Sequence, residues 1–226
     1  MEEQIHASVA SSLANFTTSS DESPYLDSVV LHSPLPTPAE TLRAWTVLSG
    51  YHPRQIRHLG ISNAPFAAVK ALSASLAPSA TASSGEGADG KPAPLSVVQN
   101  RFIPQTGFEA PLRAFLRDGV GGSTGVSVHS PGSVAFQSFW TLTGNPALLS
   151  SSVVGAVAAG AGVGREVALY ALVLGLGNTV ILDGTKNHMR EDLEGVEKVG
   201  AWAEGEGRAA WEEALRGFKE TVGERS

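Results

Sequence analysis

The chain has 226 residues, 42% of them apolar and 17% charged, with a formal net charge of −6. That length fits one domain with a sizeable core, and an acidic balance without any basic block argues against nucleic-acid binding. The absence of cysteine excludes disulfides, thiolate metal ligands and a Cys nucleophile together.

At the N-terminus, "MEEQIHASVA" is acidic and lacks the apolar core of a secretory signal. No apolar run reaches the ~20 residues of a membrane helix. The expectation is a cytoplasmic protein without membrane attachment. "YLDSVVLHSP" (Tyr25–Pro34) reads as a strand over Leu26–His32, stopped by proline. "TPAE" at Thr37–Glu40 then supplies an N-cap Thr, a Pro at the first helical position and a Glu two places on, which is a capping box. The helix it opens carries Leu42, Trp45 and Leu48 on one side.

A second strand follows over Ile56–Ser62, and a helix after Asn63 with Phe66, Val69 and Leu72 on one face. Residues 78–94, "PSATASSGEGADGKPAP", are small, polar and rich in Gly and Pro, the composition of a flexible insertion. A third strand occupies Leu95–Asn100. Asp118–Gly132 resembles the insertion, although "VSVH" within it has the pattern of a short strand. A fourth strand covers Ser133–Ser138, and Asn145-Pro146 opens a helix expected to run through Val157. Val163–Leu176 is apolar all round and reads as a buried helix that Gly177 ends. A fifth strand covers Thr179–Asp183. Residues 196–226 form a helical extension in which Trp211, Leu215, Phe218 and Val222 make a packing stripe over Arg208–Val222.

These strands lack polar alternation, the pattern of strands covered on both faces. Their alternation with helices implies a parallel sheet with helical crossovers. No repeat of fixed period is present. "GAGVG" (Gly160–Gly164) is an inter-helix loop rather than a dinucleotide fingerprint, and "GVGGSTG" (Gly119–Gly125) lacks the Lys of a phosphate loop. His52, His58 and His129 have no partner at metal-ligand spacing, so no metal is expected. No G-x-S-x-G elbow occurs.

Five segments, "YLDSVVLHSP", "IRHLGISN" (Ile56–Asn63), "LSVVQNRF" (Leu95–Phe102), "QSFWTLTGNP" (Gln137–Pro146) and "ILDGTKNHMREDL" (Ile181–Leu193), resemble in order and spacing the second part of an aldo-keto reductase. The wording is similar to that of fungal members, and the likeness runs from about Ser8 to Trp202. The family fold is an eight-stranded β/α barrel, and such barrels take ~250 residues and carry the active site at the C-terminal ends of the strands. The stretch before Tyr25 is shorter than the ~30 residues of one βαβ unit. The resemblance therefore implies an α/β fold in the form of a partial, open TIM-type barrel of about five parallel strands with flanking helices, one domain over 1–226 without the first three units.

In this resemblance His32 is the catalytic His that orients and polarises a substrate carbonyl. Its family partners are an Asp, a Tyr acting as general acid and a Lys that lowers the Tyr pKa. They belong to the first three units. Tyr25 is the one Tyr before His32, at the start of its own strand, and no Lys precedes His32. Ser62, Asn63 and Gln99 match the residues that hold the nicotinamide carboxamide, whose C=O and NH₂ hydroxyl and amide side chains can both pair. Asn63 is equally a good helix N-cap, and Ser62 and Gln99 also read as plain polar groups at strand ends. Gln137 stands where the family places an aromatic ring under the nicotinamide, with Phe136 and Trp140 flanking.

The Lys, Ser and Arg that hold the 2′-phosphate of NADP are matched by Asp183, Gly184 and His188. An Asp repels a phosphate, and without the Arg fork bidentate recognition is lost, so NADP binding is expected to be weakened. Lys186 and Arg190 lie close enough to compensate if the register differs. Three readings follow. The first is a catalytically incomplete relative that takes a small carbonyl ligand. The second is an NADP-dependent carbonyl reductase from an incomplete gene model. The third is a non-redox small-molecule enzyme that uses His32. The open sheet implies a second copy or a partner chain to cover it.

Overall fold

The computed structural model describes residues 1–16, 24–77, 92–118, 134–184 and 187–224. The insertion expected at 78–94, apart from 92–94, lies outside these residues, as do the "VSVH" segment and Lys186. The chain divides into two compact units, Met1–Gln99 and Asn100–Ser226. Five strands follow one another in chain order, β1-β2-β3-β4-β5, in one unclosed sheet, with parallel pairing at β1/β2, β2/β3 and β4/β5.

The first unit holds α1 (Glu2–Phe16), β1 (Leu26–Leu31), α2 (Pro38–Ser49), β2 (Ile56–Ser62), α3 (Phe66–Leu76) and most of β3 (Leu95–Arg101). β1 stops one residue before His32. The capping box of α2 forms in full: Glu40 N–H donates to Thr37 Oγ1 at 3.2 Å, and Thr37 N–H donates to Glu40 Oε2 at 3.0 Å. Trp45 is wholly buried and donates its indole N–H to the Ala93 carbonyl at 2.8 Å, so its one polar group is satisfied where water cannot reach. Gly60, on β2, permits a close approach. A Cβ there would sit 2.7 Å from the Val97 carbonyl oxygen and 3.1 Å from Val30 Cγ2.

The second unit continues through a 3₁₀ turn (Pro104–Glu109), α4 (Ala110–Arg117), β4 (Ala135–Phe139), α5 (Pro146–Leu149), α6 (Ser152–Ala161), α7 (Arg165–Leu174), β5 (Thr179–Ile181), α8 (Met189–Glu204) and α9 (Arg208–Thr221). Three expectations are corrected here. The helix expected from Asn145 to Val157 is two helices, because Ser151 takes an extended backbone and its hydroxyl caps α6 by accepting from Val154 N–H. Serine competes with the helix in this way. The buried helix is shorter than 163–176, with Gly164 at its N-cap and Gly175 at its C-cap, and Gly177 lies beyond it at φ 74°. β5 ends at Ile181, and Asp183 serves instead as acceptor for the Tyr170 hydroxyl at 3.0 Å.

α7 is the core element of this unit, with every residue from Val167 to Val173 buried. The C-terminal stripe packs as expected through Phe218 and Val222, while Trp211 and Leu215 are half-buried. Strand burial departs from the expectation of two covered faces. On β4, Phe136 and Ser138 are buried, whereas Ala135, Gln137 and Phe139 are only partly so. An unclosed sheet leaves one face incompletely filled.

The end of the chain is held by charge. Arg113 is nearly wholly buried, donates Nε–H to the Phe108 carbonyl at 2.8 Å and pairs with Glu224, which Arg117 also reaches at 3.1 Å. Burial pushes the Arg113 guanidinium below its ordinary pKa, and Glu224 opposes that shift. Among the described residues no single helix is long and apolar enough to cross a membrane, and the apolar pair α6 and α7 meets at a bend of 103°.

Two substitutions test this packing. Gly60→Ala forces a methyl into the β2/β3 contact and is expected to destabilise by about 1–3 kcal/mol, the usual cost of overpacking. Glu224→Ala strands a buried guanidinium and is expected to cost about 3–5 kcal/mol. Glu220→Ala, at an exposed site on α9, is expected to leave the denaturation midpoint unchanged.

Candidate functional site

Parallel pairing brings successive C-terminal strand ends side by side. In the first unit the register aligns Leu31 with Ile61 and Ser62 with Gln99. His32, Ser62, Asn63 and Gln99 therefore meet at one end of the strands. Ser62 is 2% exposed, and its hydroxyl lies 2.8 Å from the Gln99 carbonyl oxygen and 3.1 Å from Gln99 Oε1.

Asn63 adopts a left-handed backbone, φ 49°. Its N–H donates to the Gln99 carbonyl at 3.0 Å, and Nδ2 donates to the His32 carbonyl at 2.9 Å and to Ser62 Oγ at 3.2 Å. Asn63 does not cap the next helix: the N-cap position of α3 is Pro65, with no side-chain cap bond. Asn63 Oδ1 is shielded from solvent and has no hydrogen-bond partner. The His32 imidazole is exposed, and it is the His32 backbone that is tied to Asn63.

In the second unit, Gln137 lies on β4 opposite Val180 and is half-buried. Strand alternation puts Phe136 on the opposite face from Gln137, where it is 1% exposed. Trp140 follows the strand and is exposed.

His188 precedes α8 and is exposed, with Nδ1 2.8 Å from Glu191 Oε2. That hydrogen bond and the Glu191 charge raise its pKa above the ordinary value. Asp183 accepts from Tyr170, whose phenol is pushed up by burial and then by Asp183. Asp192 is raised by desolvation, then by its hydrogen bond to Asp183. Tyr170, Glu191 and Asp192 were not singled out from sequence. The acidic start of "MREDL" was legible, but the hydroxyl that α7 contributes was not. Among the described residues no group of three or more His, Asp or Glu could hold a metal ion.

No protein-family model and no curated protein matches the sequence. Solved structures do match. A thermostable aldo-keto reductase in complex with the inhibitor epalrestat is 18% identical and superimposes with a TM-score of 0.58 over 89% of this chain and 65% of its own. An aldo-keto reductase from Brucella melitensis gives 17% identity and a TM-score of 0.53 over 88% and 68%. One from Klebsiella pneumoniae, in complex with NADPH, gives 18% and 0.58 over 87% and 59%.

The chain has the aldo-keto reductase fold. It spans between 59% and 68% of the length of these aldo-keto reductase chains.

The residues matched to cofactor positions in each unit differ in their fit to a nicotinamide cofactor. At Asn63 an unused acceptor stands beside the Ser62 hydroxyl and the Gln99 amide, a donor set suited to a carboxamide. A buried acceptor without a partner costs about 1–3 kcal/mol. The residues matched to the 2′-phosphate fit poorly, because Asp183, Glu191 and Asp192 are acidic and Glu191 already engages His188. Arg190 is exposed.

The His188 pair gives a direct test. A group with a raised folded pKa stabilises the fold below its unfolded pKa and loses that contribution as pH rises through the folded value. The His188 imidazole is expected to titrate above the ~6.5 of a free histidine by NMR. Glu191→Gln is expected to bring it down.

Proposed function

We propose that this chain is a reductase-like ligand-binding protein. It takes the nicotinamide group of a cofactor at Ser62, Asn63 and Gln99, and does not by itself complete a carbonyl reduction. The observation that carries this reading is the partnerless Asn63 Oδ1 beside Ser62 and Gln99 at the C-terminal strand ends. His32 stands beside this clamp and can offer one hydrogen bond to a carbonyl oxygen. A bound dihydronicotinamide would supply hydride.

Reduction also needs a proton delivered to the developing alkoxide. In the resemblance that proton comes from a Tyr beside a Lys of the units that would precede His32. Loss of a positioned acid costs about 10²–10⁴-fold. The acidic setting of Asp183 and Asp192 further disfavours a 2′-phosphate.

Calorimetric titration is expected to show NADH and reduced nicotinamide mononucleotide binding, with NADPH no tighter than NADH. Asn63→Ala should weaken both by about tenfold, the worth of one hydrogen bond. Binding unchanged in Asn63→Ala and Gln99→Ala would remove the reading. NADPH oxidation against a panel of aldehydes and quinones should stay at background. A turnover near ~10 per second, abolished by His32→Ala, would show that the chemistry is carried otherwise.

The fraction of the solved chains covered favours a second reading, an NADP-dependent carbonyl reductase whose remaining residues lie on further sequence. Adding an upstream segment that carries the Asp, Tyr and Lys would then restore turnover. The sheet order leaves β1 and β5 as end strands, and unpaired edges promote association. The isolated chain is expected to self-associate or to require a partner segment. Light scattering that finds a cooperatively melting monomer at micromolar concentration would contradict this.

A further inference from the structure

In the second unit, Arg101 ends β3 and Phe139 ends β4. Their strands are joined there by the Phe102 N–H, which donates to the Phe139 carbonyl at 3.0 Å. The buried residues Asn100 and Phe102 alternate with Arg101, and Phe136 and Ser138 with Gln137 and Phe139. Alternation therefore places Arg101, Gln137 and Phe139 away from the buried face. The Arg101 guanidinium carbon lies 4.7 Å from the centroid of the Trp140 ring and 5.6 Å from that of Phe139. The two rings meet edge to face at 80°.

Trp140 is 54% exposed, yet it is held at φ 58°, a conformation that side chains rarely adopt. Beside it Asn145, 1% exposed, donates Nδ2 to the Phe102 carbonyl at 2.6 Å and the Thr141 carbonyl at 3.0 Å, with the Trp140 carbonyl at 3.4 Å. Gly144 N–H also donates to the Trp140 carbonyl, at 2.9 Å. One buried amide thus links the end of β3 to the loop after β4, where an exposed indole lies beside an exposed guanidinium. Arg101 takes part in none of the salt bridges among the described residues.

A guanidinium lying over a ring can still offer N–H groups to a planar oxyanion. We propose that Arg101, Phe139 and Trp140 form a binding site for an aromatic carboxylate, its ring against Phe139 and Trp140 and its carboxylate on the Arg101 fork. One guanidinium balances one negative charge, which favours a carboxylate over a phosphate dianion. Backbone strain at an exposed aromatic residue is the kind of feature found at ligand clamps. None of these residues belongs to the Asn63 clamp, so the proposal stands apart from the nicotinamide reading.

The test is calorimetric titration of the full chain with 2-naphthoate, the neutral 2-naphthamide and 2-naphthyl phosphate at fixed salt. Saturable 2-naphthoate binding is expected, at least about tenfold tighter than 2-naphthamide, the worth of a charge-assisted hydrogen bond. Arg101→Ala should lose that advantage, Arg101→Lys should recover only part of it, and Asn63→Ala should leave it intact. Trp140→Gly relieves the positive φ, so it should weaken binding without lowering the melting temperature. The proposal is overturned by equal 2-naphthoate binding in wild type and Arg101→Ala, by 2-naphthamide binding as tightly, by 2-naphthyl phosphate binding more tightly than 2-naphthoate, or by no saturable binding.

Discussion

Asn63 ties together the strand ends of the first unit. Its backbone N–H holds the end of β3 through Gln99, and its side chain holds the residue after β1 through the His32 carbonyl. To make both bonds it accepts a left-handed backbone, φ 49°, a conformation that costs about 1–3 kcal/mol in a residue other than glycine. Asparagine tolerates it better than most residues because its short amide can bond locally. The same bonds leave Oδ1 without a partner. Ser62 and Gln99 are already adjacent by register, so that acceptor lies beside a hydroxyl and a second amide.

The two Arg sites of the second unit show how burial decides what a guanidinium does. Arg113 is buried and must be paired, and Glu224, Phe108 and Val222 supply the acceptors. Its role is to hold the chain end. Arg101 is exposed, with its guanidinium carbon over the Trp140 and Phe139 rings. The acidic group around Asp183 is a third electrostatic setting. The Tyr170 hydroxyl donates to Asp183, Asp183 helps raise the Asp192 pKa, and Glu191 engages His188, so that segment offers a phosphate repulsion rather than a fork.

The sequence by itself determined the order of the five strands, the capping box at Thr37–Glu40 and the docking helix with Phe218 and Val222, and the resemblance it carries picked out His32, Ser62, Asn63 and Gln99. These depend on local pattern and on the rule that parallel strands gather their C-terminal ends. Tertiary structure decided the rest, because it turns on which partner wins a shared group. Asn63 could cap a helix or bond across strands, and the His32 carbonyl won. Asn145 left the helix start to bond carbonyls from two segments, and Ser151 took a cap that split the expected helix. Phe136 and Gln137 are neighbours in sequence but face opposite ways, since successive strand residues alternate. The Arg101 and Trp140 pairing joins residues distant in sequence, and no spacing along the chain signals it; only the packing of β3 beside β4 brings the two together.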